Sequence, residues 1–283
     1  MRQEGGDSKS LKAWSGVPAD IMTKLTFLGT GGGRLVTLTQ ERSTGGIYLE
    51  SGQRLHIDPG PGSLSAMARN GIDPTRTDAL LISHCHPDHY SDAEILIEGM
   101  SVGRRGRRGT LIAPLSVIRG KNNIGPAVSR YHKDKLRSVI VLGPGDTTSV
   151  GEIEVRGTPS VHSDPSGIGF VIRTPNGVIS YVSDTELRDE IVQSHMGARL
   201  LILPVTRPLR SRIPGHLSTE DGAFFAEKVK PDLCVLTHQG KRFLKEGPEV
   251  QAEWVQNKSM IRTVAAKDDM TLEMLDGEIR IGP

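Results

Sequence analysis

The sequence predicts an α/β (α+β) fold arranged as an αββα four-layer sandwich, two mixed β-sheets packed face to face with helices on the outer faces. Three observations predict it. Short strand-like segments recur through both halves of the chain, and each half ends in helical segments. Two strands, Thr77–Ser83 with Ala79-Leu80-Leu81-Ile82 at its centre and Leu200–Val205, carry unbroken apolar runs, the pattern of strands covered on both faces. The halves resemble each other weakly in this order of elements, and no repeat of 20–50 residues divides them further.

Residues 1–20 are polar, contain Gly5-Gly6-Asp7-Ser8, and read as a flexible lead-in, leaving 21–283 as one domain. Lys24-Leu25-Thr26-Phe27-Leu28 is a short strand running into Gly29-Thr30-Gly31-Gly32-Gly33. Glycines after a strand can bring backbone close to a phosphate. Here no helix is expected to follow and the G-x-G-x-x-G spacing is missing, so a dinucleotide site is not expected. Strands are expected at Gly46–Glu50 and Arg54–Asp58, then a turn at Pro59-Gly60-Pro61-Gly62 and a helix over Ser63–Asn70 stopped by Gly71. Ser91-Asp92-Ala93-Glu94 has the S-x-x-E form of a capping box ahead of Ile95-Leu96-Ile97. Further strands fit Thr110–Ala113, Ser138–Leu142, Ile153–Thr158, Gly169–Arg173 and Val178–Val182. Ser218-Thr219-Glu220-Asp221 opens a helix to about Lys230, followed by a strand at Leu233–Thr237. A helix at Pro248–Asn257 and strands at Ile261–Ala265 and Thr271–Leu275 finish the pattern.

Composition bounds the function. The chain has 283 residues, enough for a substantial core, and apolar runs such as Leu200-Leu201-Ile202-Leu203 are far too short to span a bilayer. The first twenty residues hold no apolar signal core, and the two cysteines, Cys85 and Cys234, are too few for a disulfide framework. Both facts fit a cytoplasmic protein. Aromatics make up 4%, which leaves little for base-stacking platforms. Net charge is only +2, yet residues 101–142 carry ten Lys/Arg (Arg104, Arg105, Arg107, Arg108, Arg119, Lys121, Arg130, Lys133, Lys135, Arg137) against Asp134 alone. A local excess of this kind attracts phosphate-bearing ligands, or serves as a solvated or subunit-facing surface in a homo-oligomer, most simply a dimer.

The chemistry concentrates in His84-Cys85-His86-Pro87-Asp88-His89, which offers four potential metal ligands in six positions directly after an apolar strand. Imidazole and carboxylate are good ligands for zinc and similar ions. Residues two apart in an extended segment point the same way, so His84 and His86 can grip one ion. Pro87 then bends the chain, and Asp88 with His89 can face a second. A lone histidine among core residues is usually just packed and hydrogen-bonded; three with an aspartate are another matter. His56, His132 and His195 lack such surroundings and are expected at the surface or behind the ligands. Cys85 should point away from its neighbours, and Cys234 should lie in the core.

H-x-H-x-D-H after a hydrophobic strand resembles the signature of the metallo-β-lactamase superfamily, and other landmarks follow in the matching order. Phe27-Leu28-Gly29-Thr30-Gly31-Gly32 resembles the opening strand and turn of ribonuclease Z-like members, and Asp58-Pro59-Gly60 their acidic turn. The resemblance implies His84, His86 and His162 on one metal, Asp88, His89 and His238 on a second, and Asp184 shared between them. Each later landmark has an ordinary alternative: His162 and His238 as core histidines, Asp184 as a cap for a helix near Glu186–Gln193. Pro214-Gly215-His216-Leu217-Ser218 resembles a stretch in which the histidine serves the phosphate or leaving group. That makes His216 the candidate general acid, or else a helix-terminal or supporting residue.

The implied activity is two-metal hydrolysis of a phosphodiester by a metal-bridging hydroxide, with Asp88 and His216 as catalytic residues. The cofactors are two divalent ions, zinc first, with manganese or iron as alternatives. Asp58 is expected to orient a ligand histidine, and Arg199, Arg207, Arg210 and Arg212 to help hold an anionic substrate such as a nucleotide or RNA end. Ribonuclease Z grips tRNA with a long Gly/Pro-rich arm, and no such insertion is evident, so tRNA processing is not the expectation. The fold also hosts hydrolases of carboxylic esters, thioesters, lactones and lactams, and a non-catalytic RNA- or protein-binding role is a third reading.

Overall fold

The computed structural model describes residues 21–102 and 106–283; the expected lead-in at 1–20, together with Arg104 and Arg105, lies outside the described residues. Strand-forming runs build two sheets in succession. The first contains β1 (Thr23–Phe27), β2 (Ile47–Ser51), β3 (Gln53–Ile57), β4 (Ala79–Leu81), β5 (Thr110–Ala113) and β6 (Ser138–Val141). The second contains β7 (Thr147–Val150), β8 (Ile153–Pro159), β9 (Ile168–Thr174), β10 (Gly177–Tyr181), β11 (Leu200–Arg207), β12 (Leu217–Ser218), β13 (Leu233–Thr237) and β14 (Thr263–Ala265). A hairpin, β15 (Thr271–Leu275) and β16 (Glu278–Gly282), then returns to the first sheet. The orders are β16-β15-β1-β2-β3-β4-β5-β6 and β14-β13-β11-β10-β9-β8-β7, with β12 pairing on β11.

Each sheet changes character midway. β1, β2 and β3 pair antiparallel, and β3 to β6 pair parallel. Likewise β7 to β10 are antiparallel, and β10, β11, β13 and β14 are parallel. This shared plan is the physical basis of the weak likeness between the halves. Strand alternation then sorts the apolar residues. Leu25, Phe27, Leu55, Ile57 and Leu81 meet Ile153, Phe170, Ile172, Leu200 and Ile202 between the sheets. The intervening residues Leu201, Leu203 and Val205 face outward into a second cluster, which explains why Leu200–Val205 is apolar without a break.

The outer layers are helical. Over the first sheet lie α2 (Ser63–Arg69), α3 (Pro87–Tyr90), α4 (Ala93–Ser101), α5 (Leu115–Ile118) and α6 (Arg130–Lys133); α7 (Asp189–Ser194), α8 (Thr219–Val229), α9 (Lys241–Lys245) and α10 (Pro248–Ser259) belong to the second half, and α1 (Gly33–Thr39) contacts α3 and α9. Ala66, Met67, Leu96, Ile97 and Met100 cover one sheet, and Ile191, Phe225, Ala226 and Val255 the other. At ~1.5–3 kcal/mol for each large apolar side chain fully buried, these clusters are the main force holding the layers together. No helix of the described residues is long and apolar enough to cross a membrane.

Two local expectations are corrected. A helix, α1, does follow the glycine run: Gly33 adopts φ 73°, which turns the chain sharply into it. Its Leu35 and Leu38 are exposed, so it lacks the apolar stripe that would announce it. The Ser91 capping box does not form. The Ser91 hydroxyl donates back to the Pro87 carbonyl (2.7 Å), and Asp92, not Ser91, is the N-cap of α4, making no side-chain cap bond. A capping box forms instead at Ser218, with the Ser218 N–H donating to the Asp221 carboxylate at 2.9 Å.

Candidate metal centre

Five strand ends converge at one end of the sandwich. His84 and His86 follow β4, with Asp88 and His89 on the short helix α3 beyond Pro87. His162 follows β8, Asp184 follows β10, His216 lies between β11 and β12, and His238 follows β13. Crevices outside the carboxyl ends of strands are where open α/β sheets gather functional groups. Three supporting positions hold left-handed backbone that non-glycine residues seldom adopt: Asp58 (φ 51°), Ser183 (φ 64°) and His238 (φ 55°).

The side chains form two triads. His84 Nε2 and His162 Nε2 each lie 3.0 Å from His86 Nδ1. In the second, His89 Nε2 is 3.1 Å from His238 Nε2, which is 3.4 Å from Asp88 Oδ2. One oxygen of Asp184, Oδ2, lies between them, 3.8 Å from His162 Nε2 and 3.8 Å from His89 Nε2. His216 joins the edge, its Nδ1 3.5 Å from that oxygen and its ring 4.8 Å from the His162 ring.

Outer partners decide which nitrogen of each ring faces inward. Asp58 accepts from the Ser83 N–H (2.6 Å), the Ser83 hydroxyl (2.7 Å), the Tyr181 hydroxyl (2.7 Å) and His89 Nδ1–H (2.8 Å). Because Ser83 donates its proton to Asp58, it accepts from His84 Nδ1–H at 3.0 Å, which leaves His84 Nε2 bare. His162 Nδ1–H donates to the Gly215 carbonyl (2.8 Å), so its Nε2 is bare as well. The Ser163 hydroxyl lies 3.0 Å from His86 Nε2 and the Thr206 hydroxyl 2.9 Å from His238 Nδ1. The Gly33 N–H donates to Asp88 Oδ2 at 3.0 Å. Gly32 admits the His238 ring at a distance that a Cβ would block, 2.2 Å from Cγ.

This geometry fits a pair of metal ions. Ligand atoms about 2.0–2.1 Å from a tetrahedral ion stand roughly 3.3 Å apart, and the separations within the triads are close to that. Bare nitrogen lone pairs held 3 Å apart repel one another unless a cation lies among them. Asp184 is 3% exposed, and its buried Oδ1 has no hydrogen-bond partner among the described residues, although it comes to 3.3 Å from His238 Nδ1. A buried carboxylate oxygen without a donor is costly unless a cation compensates it. The electrostatics agree. Burial works against charge on His89, but Asp58, Asp88 and Asp184 outweigh it and raise its pKa to about 10. A proton and a metal ion answer the same negative potential. Burial opposes ionisation of Asp88 too, yet His89 and His238 hold it well below the usual carboxylate range. Burial, and then His89 and His86, push His84 the other way, well below ordinary histidine.

The structure thus brings His84, His86, Asp88, His89, His162, Asp184, His216 and His238 into one cluster and places Asp58 directly behind it. Other expectations change. His56 and His195 are fully buried, not surface residues, and neither touches the cluster. His132 is half-buried between Glu94 and Glu98. Arg199 points away from the site, bonded to Asp232 and to the carbonyls of Asn176 and Leu275. Arg207 braces its own loop at Ser211. The basic segment is not one surface: Arg108 and Arg137 lie where β5 and β6 begin, whereas Arg119 and Lys121 lie beyond the end of β5, toward the cluster. Several of its charges are paired, Arg108 with Asp78, Arg130 with Asp134 and Lys135 with Glu98. Sequence reasoning missed Ser83, Tyr181, Thr206 and the glycine turn at Gly32–Gly33; for the last, glycines following a strand were the available signal.

Fold and cluster together define a metallohydrolase fold, and comparison with known proteins narrows the class. A family model described as a beta-lactamase superfamily domain matches residues 53–239. An uncharacterized protein, MJ1374 of Methanocaldococcus jannaschii, is 38% identical over 263 residues, covering 92% of this chain and 98% of that protein. Ribonuclease Z of Pyrococcus abyssi is 32% identical over 273 residues, covering 78% and 88%. Among solved structures, the metallo-beta-lactamase fold protein YhfI from Bacillus subtilis superposes with a TM-score of 0.72 at 19% identity, over 90% of this chain and all of that one. The chain belongs to the metallo-β-lactamase superfamily, close to ribonuclease Z.

Proposed function

We propose that the protein is a dinuclear metal-dependent phosphodiesterase. His84, His86 and His162 would hold one ion, Asp88, His89 and His238 the other, and Asp184 would reach both. When bound, such a pair lowers the pKa of water toward neutrality and neutralises charge that develops on a phosphoryl group. The chain's own residues do the rest. Asp58 and Ser83 fix the tautomers of His89 and His84, and the Gly215 carbonyl does the same for His162. His216, with its side chain 20% exposed, stands at the open edge and can donate a ring N–H to a phosphoryl or leaving-group oxygen.

The observation that carries the reading is the position of Asp184, its Oδ2 3.8 Å from a histidine of each triad and its buried Oδ1 without a hydrogen-bond partner among the described residues. Preference for a phosphodiester rests on His216, which lines a groove of about 380 Å³ where Arg188 is paired with Glu186 and Arg212 with Asp221. Likeness to ribonuclease Z points the same way. The deciding experiment assays metal-reconstituted protein on bis-p-nitrophenyl phosphate, p-nitrophenyl esters and a lactone, alongside metal analysis. Phosphodiester turnover with two ions per chain is expected; lactone or ester turnover alone would overturn the substrate class, and fewer than two ions the dinuclear centre.

A further inference from the structure

A second buried carboxylate, Asp164, lies behind the cluster and makes no contact with any of its histidine nitrogens among the described residues. It is 1% exposed. Its Oδ2 accepts the Cys85 N–H at 3.0 Å and the Ser116 hydroxyl at 2.6 Å, and its Oδ1 accepts the Ser166 N–H at 2.9 Å. Those donors belong to three pieces of chain: the link between His84 and His86, the first turn of α5, and the loop that carries His162. The Cys85 N–H lies in the peptide joining His84 to Cys85, so its bond to Asp164 sets how far apart the two histidines open. His162 stands two residues before Asp164 in the same loop, which is also tied by the Ile168 N–H to the Ser83 carbonyl at 2.9 Å. The second triad shares none of these ties to Asp164; Thr206 and the Gly33 N–H hold it, while Asp58 serves both triads, through His89 directly and through Ser83 to His84.

We propose that Asp164 is the positioning residue of the His84–His86–His162 triad, setting the spacing of its three nitrogens for one of the two ions. The inference rests on the dinuclear reading above. A carboxylate suits the task because it accepts from several donors at once, whereas an amide in its place turns one oxygen into a donor that opposes either the Cys85 N–H or the Ser166 N–H.

The test strips the full chain of metal and titrates it with zinc, then cobalt, against a competing chelator. Wild type is expected to show two sites. Asp164→Asn is expected to weaken one of them about 10- to 100-fold, the usual cost of losing an outer partner, while the other keeps its affinity and only one cobalt spectrum changes. Its turnover should recover when metal is raised to saturation, which a merely structural loss would not show. Ser116→Ala removes one donor and should weaken the same site by less, giving the readout if Asp164→Asn does not fold. Wild type binding fewer than two ions overturns the dinuclear reading itself. Two sites in wild type with Asp164→Asn unchanged, or with both sites weakened alike, overturns the role of Asp164, and so does Ser116→Ala with both affinities unaltered.

Discussion

The buried histidines fall into two groups that burial alone does not separate. His56 and His195 are fully enclosed, and each has one partner and one idle nitrogen: His56 Nε2–H donates to the Gly45 carbonyl at 2.7 Å, and His195 Nδ1 meets the Ser180 hydroxyl. Burial pushes their pKa values down, to about 4 and about 3. In the cluster, outer partners occupy one nitrogen of each ligand-type histidine and turn the other toward a carboxylate or another bare nitrogen. There His89 rises to about 10, because three carboxylates outweigh its burial. Convergence of acceptors without donors between them is what marks a metal centre.

The sharpest way to break that contrast is to remove the acceptor both triads share. Asp184→Ala should lower metal affinity by more than the roughly 100-fold upper range for an outer partner, with turnover lost alongside. Metal analysis after dialysis reads it, and unchanged content would refute a shared carboxylate. His216→Ala tests the cluster's edge. It should cut kcat by about 10²–10⁴-fold, the range for one acid–base or donor group, while metal content stays near wild type; lost metal would make His216 a ligand. Asp58→Asn probes the outer layer. His89 loses its charged partner, and Ser83, which holds His84, loses one of its acceptors. A chelator titration should therefore show both sites weakened, the His89 site more, by about 10- to 100-fold; unchanged affinity at both sites would separate Asp58 from that role.

Much of this arrangement was legible in the sequence, for identifiable reasons. Four ligand-type residues in six positions after an apolar strand need no tertiary information, and the long run Leu200–Val205 announces a strand covered on both faces. Long-range convergence was not legible without the resemblance, since His162, Asp184 and His238 each follow ordinary strand-like runs. Asp164 in Ser163-Asp164-Pro165-Ser166 reads as a turn residue, and only folding places it under Cys85 and Ser116. The basic stretch looked like one patch because sequence does not show β5 and β6 carrying its parts to opposite ends. His56 is expected from sequence at the surface or behind the ligands, yet it takes the outward register of β3 opposite Tyr48, on a face that helices cover. His195 ends α7 and is enclosed against Phe225.

The solitary histidines supply the smallest effect, and it lies in stability rather than activity. Each has a folded-state pKa below the unfolded value of 6.5, so the unfolded chain binds the extra proton. Their contribution is therefore complete above pH 6.5 and is lost as pH falls from there toward the folded values of about 4 and about 3. Within that window each costs about 1.4 kcal/mol per pH unit. Replacing His195 by Gln removes one titrating group without adding bulk. Denaturant unfolding of the metal-free chain between pH 6 and 4.5, an interval inside that window, should then show a slope shallower than wild type by roughly that amount. Equal slopes would mean that His195 takes up its proton within the fold, through solvent reaching its idle Nε2, and the contrast with the clustered histidines would narrow to their carboxylate neighbours.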